Sequence, residues 1–426
     1  MRWLATALLA ALVLGGTPVS AAEERPLPTK DPFYDYDGHQ PLAKVPAGTV
    51  LKQRAVTVTL GGTDGPWAAE QLLYRTRDEH GAPTVTVTTV IEPTAAQPSG
   101  GLIAYLSFYD GFGPQCDPSY TLAGGYPGNQ TNQSQAEEEG LLIAHYLAAG
   151  QPVTVPDFEG EQHHWGAGQE SGYATLDAIV ATESFLDIDR RTRVVLSGYS
   201  GGAIAADWAS ELARTYHPRQ LHLVGVAEGG IPVDYAHNLR YVDGSASYSG
   251  TILGVLMGVG RAFPFNLHKH LSRHGRRLIA EVHDQCIATF LGSHPGLRLR
   301  DVVKRKYRDL YAVRSFVRPL NHLIMGRHRS HPDVPLFMGV GDSDGTGDGV
   351  MLVGDVEALA HQYCRQGANV LFRSYQGLGH EVAGAEFEPT ATDFLLERLE
   401  GTPFHGNCDT IGKGNSIKPL PVPKRH

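Results

Sequence analysis

Three groups in this chain have the types and the order that nucleophilic acyl transfer requires. Gly198-Tyr199-Ser200-Gly201-Gly202 sets a serine between glycines in the pattern G-x-S-x-G. Gly377-Leu378-Gly379-His380 supplies an imidazole far downstream, and between the two the loop Gly341-Asp342-Ser343-Asp344-Gly345-Thr346-Gly347-Asp348-Gly349 offers three carboxylates. A serine hydroxyl is a weak nucleophile at neutral pH, so it needs a base within hydrogen-bond reach and an acid that orients the base. The chain order serine, aspartate, histidine suits groups carried on the loops after successive strands.

The flanking elements must put these groups together. Arg193-Val194-Val195-Leu196 reads as a strand entering the serine turn, and Ile204, Trp208 and Leu212 share one face of a helix leaving it. The glycines allow a sharp turn, so the hydroxyl projects at the strand end with the Gly201 N–H beside it, ready to bind an oxyanion. A second donor belongs on the loop after an early strand, here Tyr109-Asp110-Gly111. His380 follows a strand ending near Ser374. Asp342 lies too near its own strand, whereas Asp344 and Asp348 both have room to turn toward the histidine. An Asp/Gly-rich loop also suits calcium, but this one lacks the helix-linked glutamate of an EF-hand, and neither metal nor cofactor is expected.

The 426 residues suffice for one large α/β domain with an insertion, or for two domains. Thr/Val-rich runs at 55–60, 68–74 and 84–91 predict an antiparallel start to a sheet. From Gly101 strands (102–108, 153–155, 221–226, 335–340, 369–374) alternate with helices (138–149, 173–186, 389–399), which predicts a mostly parallel central sheet. The last helix is read as starting at Pro389, since proline is favoured in a first turn. Residues 232–332 break the alternation and read as an inserted helical cap or lid with apolar surface for an acyl group, its Arg276, Arg277, Lys304, Arg305 and Lys306 forming a solvated face. The organisation expected is 1–21 signal peptide, 22–231 first part of the core, 232–332 cap, and 333–426 second part with a tail.

Arg2, the apolar run Leu4 to Leu14 and Val19-Ser20-Ala21 have the form of a secretory signal, so an extracellular protein is expected. No later stretch is long and apolar enough to span a bilayer, which leaves only transient contact with a lipid interface. Cys116, Cys286, Cys364 and Cys408 then fit two disulfides in any of three pairings, and the lack of C-x-x-C spacing excludes thiol-redox and zinc motifs. A net charge of -9 argues against nucleic acid and anionic membranes as partners. His163-His164 lack a third ligand at metal-site spacing and read as solvent-facing, and the sequons at Asn129 and Asn132 matter only in a eukaryotic secretory pathway.

Asp31-Pro32-Phe33-Tyr34, Pro46-Ala47-Gly48-Thr49-Val50-Leu51, Tyr109-Asp110, Cys116-Asp117-Pro118-Ser119-Tyr120 and Pro156-Asp157-Phe158-Glu159-Gly160 are far more specific than the serine motif. On them the chain resembles the secretory lipases typified by Candida antarctica lipase A, in the manner of an actinobacterial member. The resemblance implies an α/β-hydrolase fold with a helical cap and hydrolysis of acyl esters or lipids by Ser200, His380 and an aspartate. It also implies an oxyanion hole of Asp110 and Gly201 and disulfides Cys116–Cys286 and Cys364–Cys408. Asp348 is taken as the acid because Asp348-Gly349-Val350-Met351 keeps an acid followed by an apolar pair before the helix, while the distance from the preceding strand favours Asp344. Asp117 and Glu159 are expected to hold loops by hydrogen bonding. A peptidase or acyltransferase on the same fold, or a non-catalytic hydrolase-like binding protein, are the alternative functions.

Overall fold

The computed structural model describes residues 25–94, 100–125, 130–217, 221–307, 310–328 and 330–424. The expected signal segment and Asn129 lie outside them. The described strands are β1 (Val50–Ala55), β2 (Thr59–Leu60), β3 (Thr63–Asp64), β4 (Ala69–Arg77), β5 (Pro83–Ile91), β6 (Gly101–Leu106), β7 (Val153–Pro156), β8 (Arg193–Tyr199), β9 (His222–Gly229), β10 (Leu336–Asp342) and β11 (Val370–Gln376). Nine of them form one sheet in the order β1-β4-β5-β7-β6-β8-β9-β10-β11, and β2 and β3 make a separate ribbon. Pairing is antiparallel from β1 to β7 and parallel from β7 to β11.

Side-chain alternation divides the core into two layers. Leu102, Ala104 and Leu106 of β6, with Val194 and Leu196 of β8, face the helices Gly168–Phe185 and Gly201–Tyr216. Ile103, Tyr105 and Val195 face the helices Gln130–Ala148 and His380–Glu400 on the other side. Both faces of the strand that carries the serine are therefore covered, which is why its sequence is continuously apolar. Burying each of Val194, Val195 and Leu196 stabilises the fold by about 1.5–3 kcal/mol, and together they fix the height at which the strand ends.

Four elements differ from expectation. The run 55–60 is not one strand, because Gly61 and Gly62, at φ 59° and 73°, fold Thr59-Leu60 back on Thr63-Asp64 in a tight hairpin. The helices expected from residues 138 and 173 begin earlier, at Gln130 and Gly168. The last helix runs His380–Glu400 with Pro389 inside it. The proline removes one helical hydrogen bond, and the burial of Phe387, Ala391 and Leu395 against the sheet outweighs that loss.

Between β9 and β10 the chain is mostly helical, including Tyr235–Tyr241, Thr251–Ala262, Arg273–Val282 and Arg314–His322. Two disulfides are present, Cys116–Cys286 tying the loop after β6 to this helical segment and Cys364–Cys408 tying the C-terminal tail to the helix Val353–Gln366. Among the described residues no helix is long and apolar enough to cross a membrane.

Candidate active site

Ser200 stands between the end of β8 and the first turn of the helix Gly201–Tyr216, at φ 53° and ψ -117°. That conformation is strained for a residue with a side chain and persists only when the surroundings enforce it. They do so by close approach. A Cβ on Gly198 would lie 2.3 Å from the Gly202 carbonyl oxygen, and one on Gly202 would lie 1.9 Å from that of Leu106. The Ser200 N–H donates to Gly229 O at 2.8 Å, fixing the turn to β9.

His380 begins the last helix, and its ring reaches both partners. Its Nδ1 lies 2.8 Å from Asp348 Oδ2 and its Nε2 lies 2.9 Å from Ser200 Oγ. A carboxylate can only accept, so Nδ1 carries the proton and Nε2 is left to accept from the serine hydroxyl. Asp348 is equally fixed. Its Oδ1 accepts from Val350 N at 2.9 Å and Met351 N at 2.6 Å, and its carbonyl accepts from His380 N at 3.0 Å. Burial works to lower the His380 pKa, but the charge and hydrogen bond of Asp348, aided by Glu381 and Asp110, outweigh it, and the net shift is upward.

Asp344 is not brought to this chain of hydrogen bonds. It is exposed and folds back on its own loop, Oδ1 accepting from Thr346 N and Gly347 N and Oδ2 from Tyr241 OH. Counting from the strand misleads because Gly345 to Gly347 form a turn that lets Asp348, rather than Asp344, face the histidine.

Asp110 has φ 24° and packs its carboxyl on Gly201, where a Cβ would come 1.8 Å from Asp110 Oδ1. Among the described residues neither the Asp110 nor the Gly201 backbone N–H donates to an acceptor, and both residues line the cavity that holds Ser200. Glu159 Oε2 accepts from Gly111 N at 3.1 Å, holding this loop as expected. Burial raises the pKa of the Asp110 carboxyl, and burial together with Asp110's charge raises that of Glu159. Asp117 pairs with His163 at 3.1 Å, and His164 with Glu170 at 2.6 Å. The two histidines are thus hydrogen-bond partners within the fold rather than solvent-facing, His163 being buried.

Some residues of the site carry no motif of their own. Tyr199 OH donates to His380 O at 2.6 Å, and Tyr248 OH to Glu381 Oε2 at 2.6 Å. Tyr199 was in view inside the serine pattern, whereas Glu381 and Glu388 share a helix with His380 that the reading from Pro389 concealed. Ser200 opens into a cavity of about 800 Å³ whose lining includes Trp165, Ile204, Tyr235, Val255 and Met351.

The model of the family described as secretory lipase matches residues 127–407. The chain belongs to the secretory lipase family. Among secretory lipase relatives, the secreted triacylglycerol lipase LIP1 of Malassezia furfur is 30% identical over 394 residues, 89% of this chain and 77% of that protein. A protein of Mycobacterium tuberculosis named as a probable inactive lipase is also 30% identical, over 89% of this chain and 84% of its own length. The X-ray structure of Candida antarctica lipase A in its closed state superposes with a TM-score of 0.79 at 25% identity, covering 94% of this chain and 91% of that one. The fold is accordingly that of an α/β-hydrolase, and the activity class of this secretory lipase is carboxylic-ester hydrolysis.

Proposed function

We propose that Ser200 is the nucleophile, His380 the general base and Asp348 its orienting acid in the hydrolysis of acyl esters, triacylglycerols among them, outside the cell. One observation carries the reading: the unbroken hydrogen-bond chain from Asp348 through His380 to Ser200. A relative of similar identity is named as inactive, so family membership alone does not assign the chemistry.

In the first step Ser200 Oγ attacks the ester carbonyl while its proton passes to His380 Nε2, and the charge that develops on the carbonyl oxygen is met by the N–H groups of Gly201 and Asp110. His380 then returns the proton to the departing alcohol oxygen. In the second step the same ring takes a proton from water, which attacks the acyl-enzyme, and the proton passes from Nε2 to the departing Ser200 Oγ as the fatty acid is released. Asp348 accepts from the ring Nδ1–H and holds it in the tautomer that both steps need. The apolar wall of Trp165, Tyr235 and Val255 suits the acyl chain, and residues 232–332, which include the latter two, act as the cap. Export by the N-terminal signal agrees with the name of the Malassezia relative, a secreted lipase.

The test is turnover of p-nitrophenyl esters of increasing chain length by the wild type and Ser200→Ala. The wild type hydrolyses them and the variant loses at least about 10⁴-fold in kcat while keeping its fold. Comparable turnover by both proteins would overturn the assignment.

A further inference from the structure

The aspartate that faces His380 is gripped by residues more than a hundred positions before it in the chain. The helix Tyr235–Tyr241, in the segment between β9 and β10, carries Asn238 and Tyr241 three residues apart on one face. Its start is capped by Asp234, which accepts from Ala236 N at 2.8 Å. His237 Nδ1 lies 3.0 Å from Asp355 Oδ2, on the helix that follows the aspartate loop. Asn238 Nδ2 donates to Val350 O at 2.7 Å, and Tyr241 OH accepts from Gly349 N at 3.2 Å.

Each of these last two bonds ends on a peptide unit whose other end is in the active site. A trans peptide unit is a rigid plane, with the carbonyl of one residue and the N–H of the next pointing opposite ways. In the unit joining Val350 to Met351, the carbonyl accepts from Asn238 and the N–H donates to Asp348 Oδ1 at 2.6 Å. In the unit joining Asp348 to Gly349, the N–H donates to Tyr241 OH and the carbonyl accepts from His380 N at 3.0 Å. Rotating either plane would drag an active-site bond with it, so Asn238 and Tyr241 resist that rotation from the far end. A donor on the Val350 carbonyl also polarises the Met351 N–H and strengthens its bond to the carboxylate. Packing acts in the same sense, since a Cβ on Gly349 would lie 2.5 Å from Tyr248 Cε2.

We propose that Asn238 and Tyr241 are positioning residues for the triad: through these two peptide units they aim the Asp348 carboxylate at His380 Nδ1. This rests on Asp348 acting as the orienting acid, as set out above. Asn238 also lines the cavity, so the test must separate aiming the acid from touching the substrate.

The test is a double-mutant cycle on p-nitrophenyl butyrate hydrolysis by the full chain. Asn238→Leu lowers kcat about thirtyfold and Tyr241→Phe about fivefold, with KM within about threefold of wild type. In the Asp348→Asn background the same substitutions cost less than about twofold, because no carboxylate is left to aim. A merely structural role would divide kcat by the same factor in both backgrounds. Tyr241→Phe removes one hydroxyl from a half-buried ring, and it carries the cycle if Asn238→Leu fails to fold. Its control is Asp344→Asn, since the same hydroxyl donates to Asp344 Oδ2. Equal losses in both backgrounds overturn the proposal. So does wild-type kcat in both single variants, or a loss that appears in KM alone. An Asp348→Asn protein with wild-type activity is a different result: it removes Asp348 as the acid, and the proposal with it.

Discussion

Replacing Asp348 by asparagine acts on the tautomer of His380 as well as on its charge. Asp348 Oδ1 is held by the N–H groups of Val350 and Met351 at 2.9 and 2.6 Å, while Oδ2 faces His380 Nδ1 at 2.8 Å. The asparagine oxygen stays with the two N–H donors, because turning the amide would set its NH2 against both and leave two buried donors unpaired at about 1–3 kcal/mol each. The NH2 then faces Nδ1, which must give up its proton in order to accept. The proton moves to Nε2, and Nε2 no longer accepts from Ser200. Recovering the working tautomer leaves those two donors unpaired, about 2–6 kcal/mol together, a fall in kcat of about 30-fold to 2 × 10⁴-fold. The pH profile changes as well. The neutral ring is the base, and its folded pKa lies above the ordinary imidazole value because Asp348, Glu381 and Asp110 together outweigh burial. Wild-type activity therefore falls as pH drops through that raised value, and in Asp348→Asn the limb moves to lower pH. Asp344→Asn is the comparison, since Asp344 touches only its own loop and Tyr241, and its kcat stays within about threefold of wild type. The assay is p-nitrophenyl butyrate hydrolysis from about pH 4 to 9, with circular dichroism reporting the fold. An Asp348→Asn protein within tenfold of wild type, or a larger loss in Asp344→Asn, would refute the reasoning.

Three further perturbations test other parts of the account. Gly201→Ala places a Cβ 1.8 Å from Asp110 Oδ1, so Asp110 is displaced and kcat falls by about 10² or more with KM changed far less; an unaltered kcat removes Asp110 from the site. Glu228 is fully buried with neither carboxylate oxygen paired among the described residues, and burial, then the charge of Glu211, raises its pKa well above the ordinary value. The folded state holds that proton more tightly than the unfolded chain, so the stability it contributes is full below the ordinary carboxylate pKa and is lost as pH rises. Urea midpoints for Glu228→Gln should match wild type near pH 5 and exceed it near pH 9, and parallel declines would contradict this. Cys364 and Cys408 are 44 residues apart, and replacing both by alanine costs about 4 kcal/mol if the link acts on the unfolded chain, read as a lower urea midpoint.

The serine turn was legible because its requirements are local: the apolar run Val194-Val195-Leu196, glycines where an added Cβ would lie 2.3 Å or less from a carbonyl oxygen, and a helix with an evident apolar face. His380 was legible from its place after the last strand. Spacing alone left the acid open between Asp344 and Asp348, because which of them faces the histidine depends on turns that spacing does not determine; Asp348 was taken on the pattern of an acid followed by an apolar pair, and it is the one beside His380. The ribbon at Thr59-Leu60 and the start of the last helix were misread for a common reason. Local signals, β-favouring residues in one case and a proline in the other, were overridden by a glycine pair and by burial against the sheet. The second error had a consequence for the site. With the helix started at Pro389, Glu381 and Glu388 were not seen to share a helix with His380.

Covalent labelling bears most directly on the central claim that Ser200, primed by His380, is the nucleophile. Protein treated with a fluorophosphonate and digested should carry one adduct, on the peptide containing Ser200, with esterase activity lost in step with labelling and no adduct in Ser200→Ala. Label on a different residue, or full esterase activity in protein stoichiometrically labelled at Ser200, would contradict it.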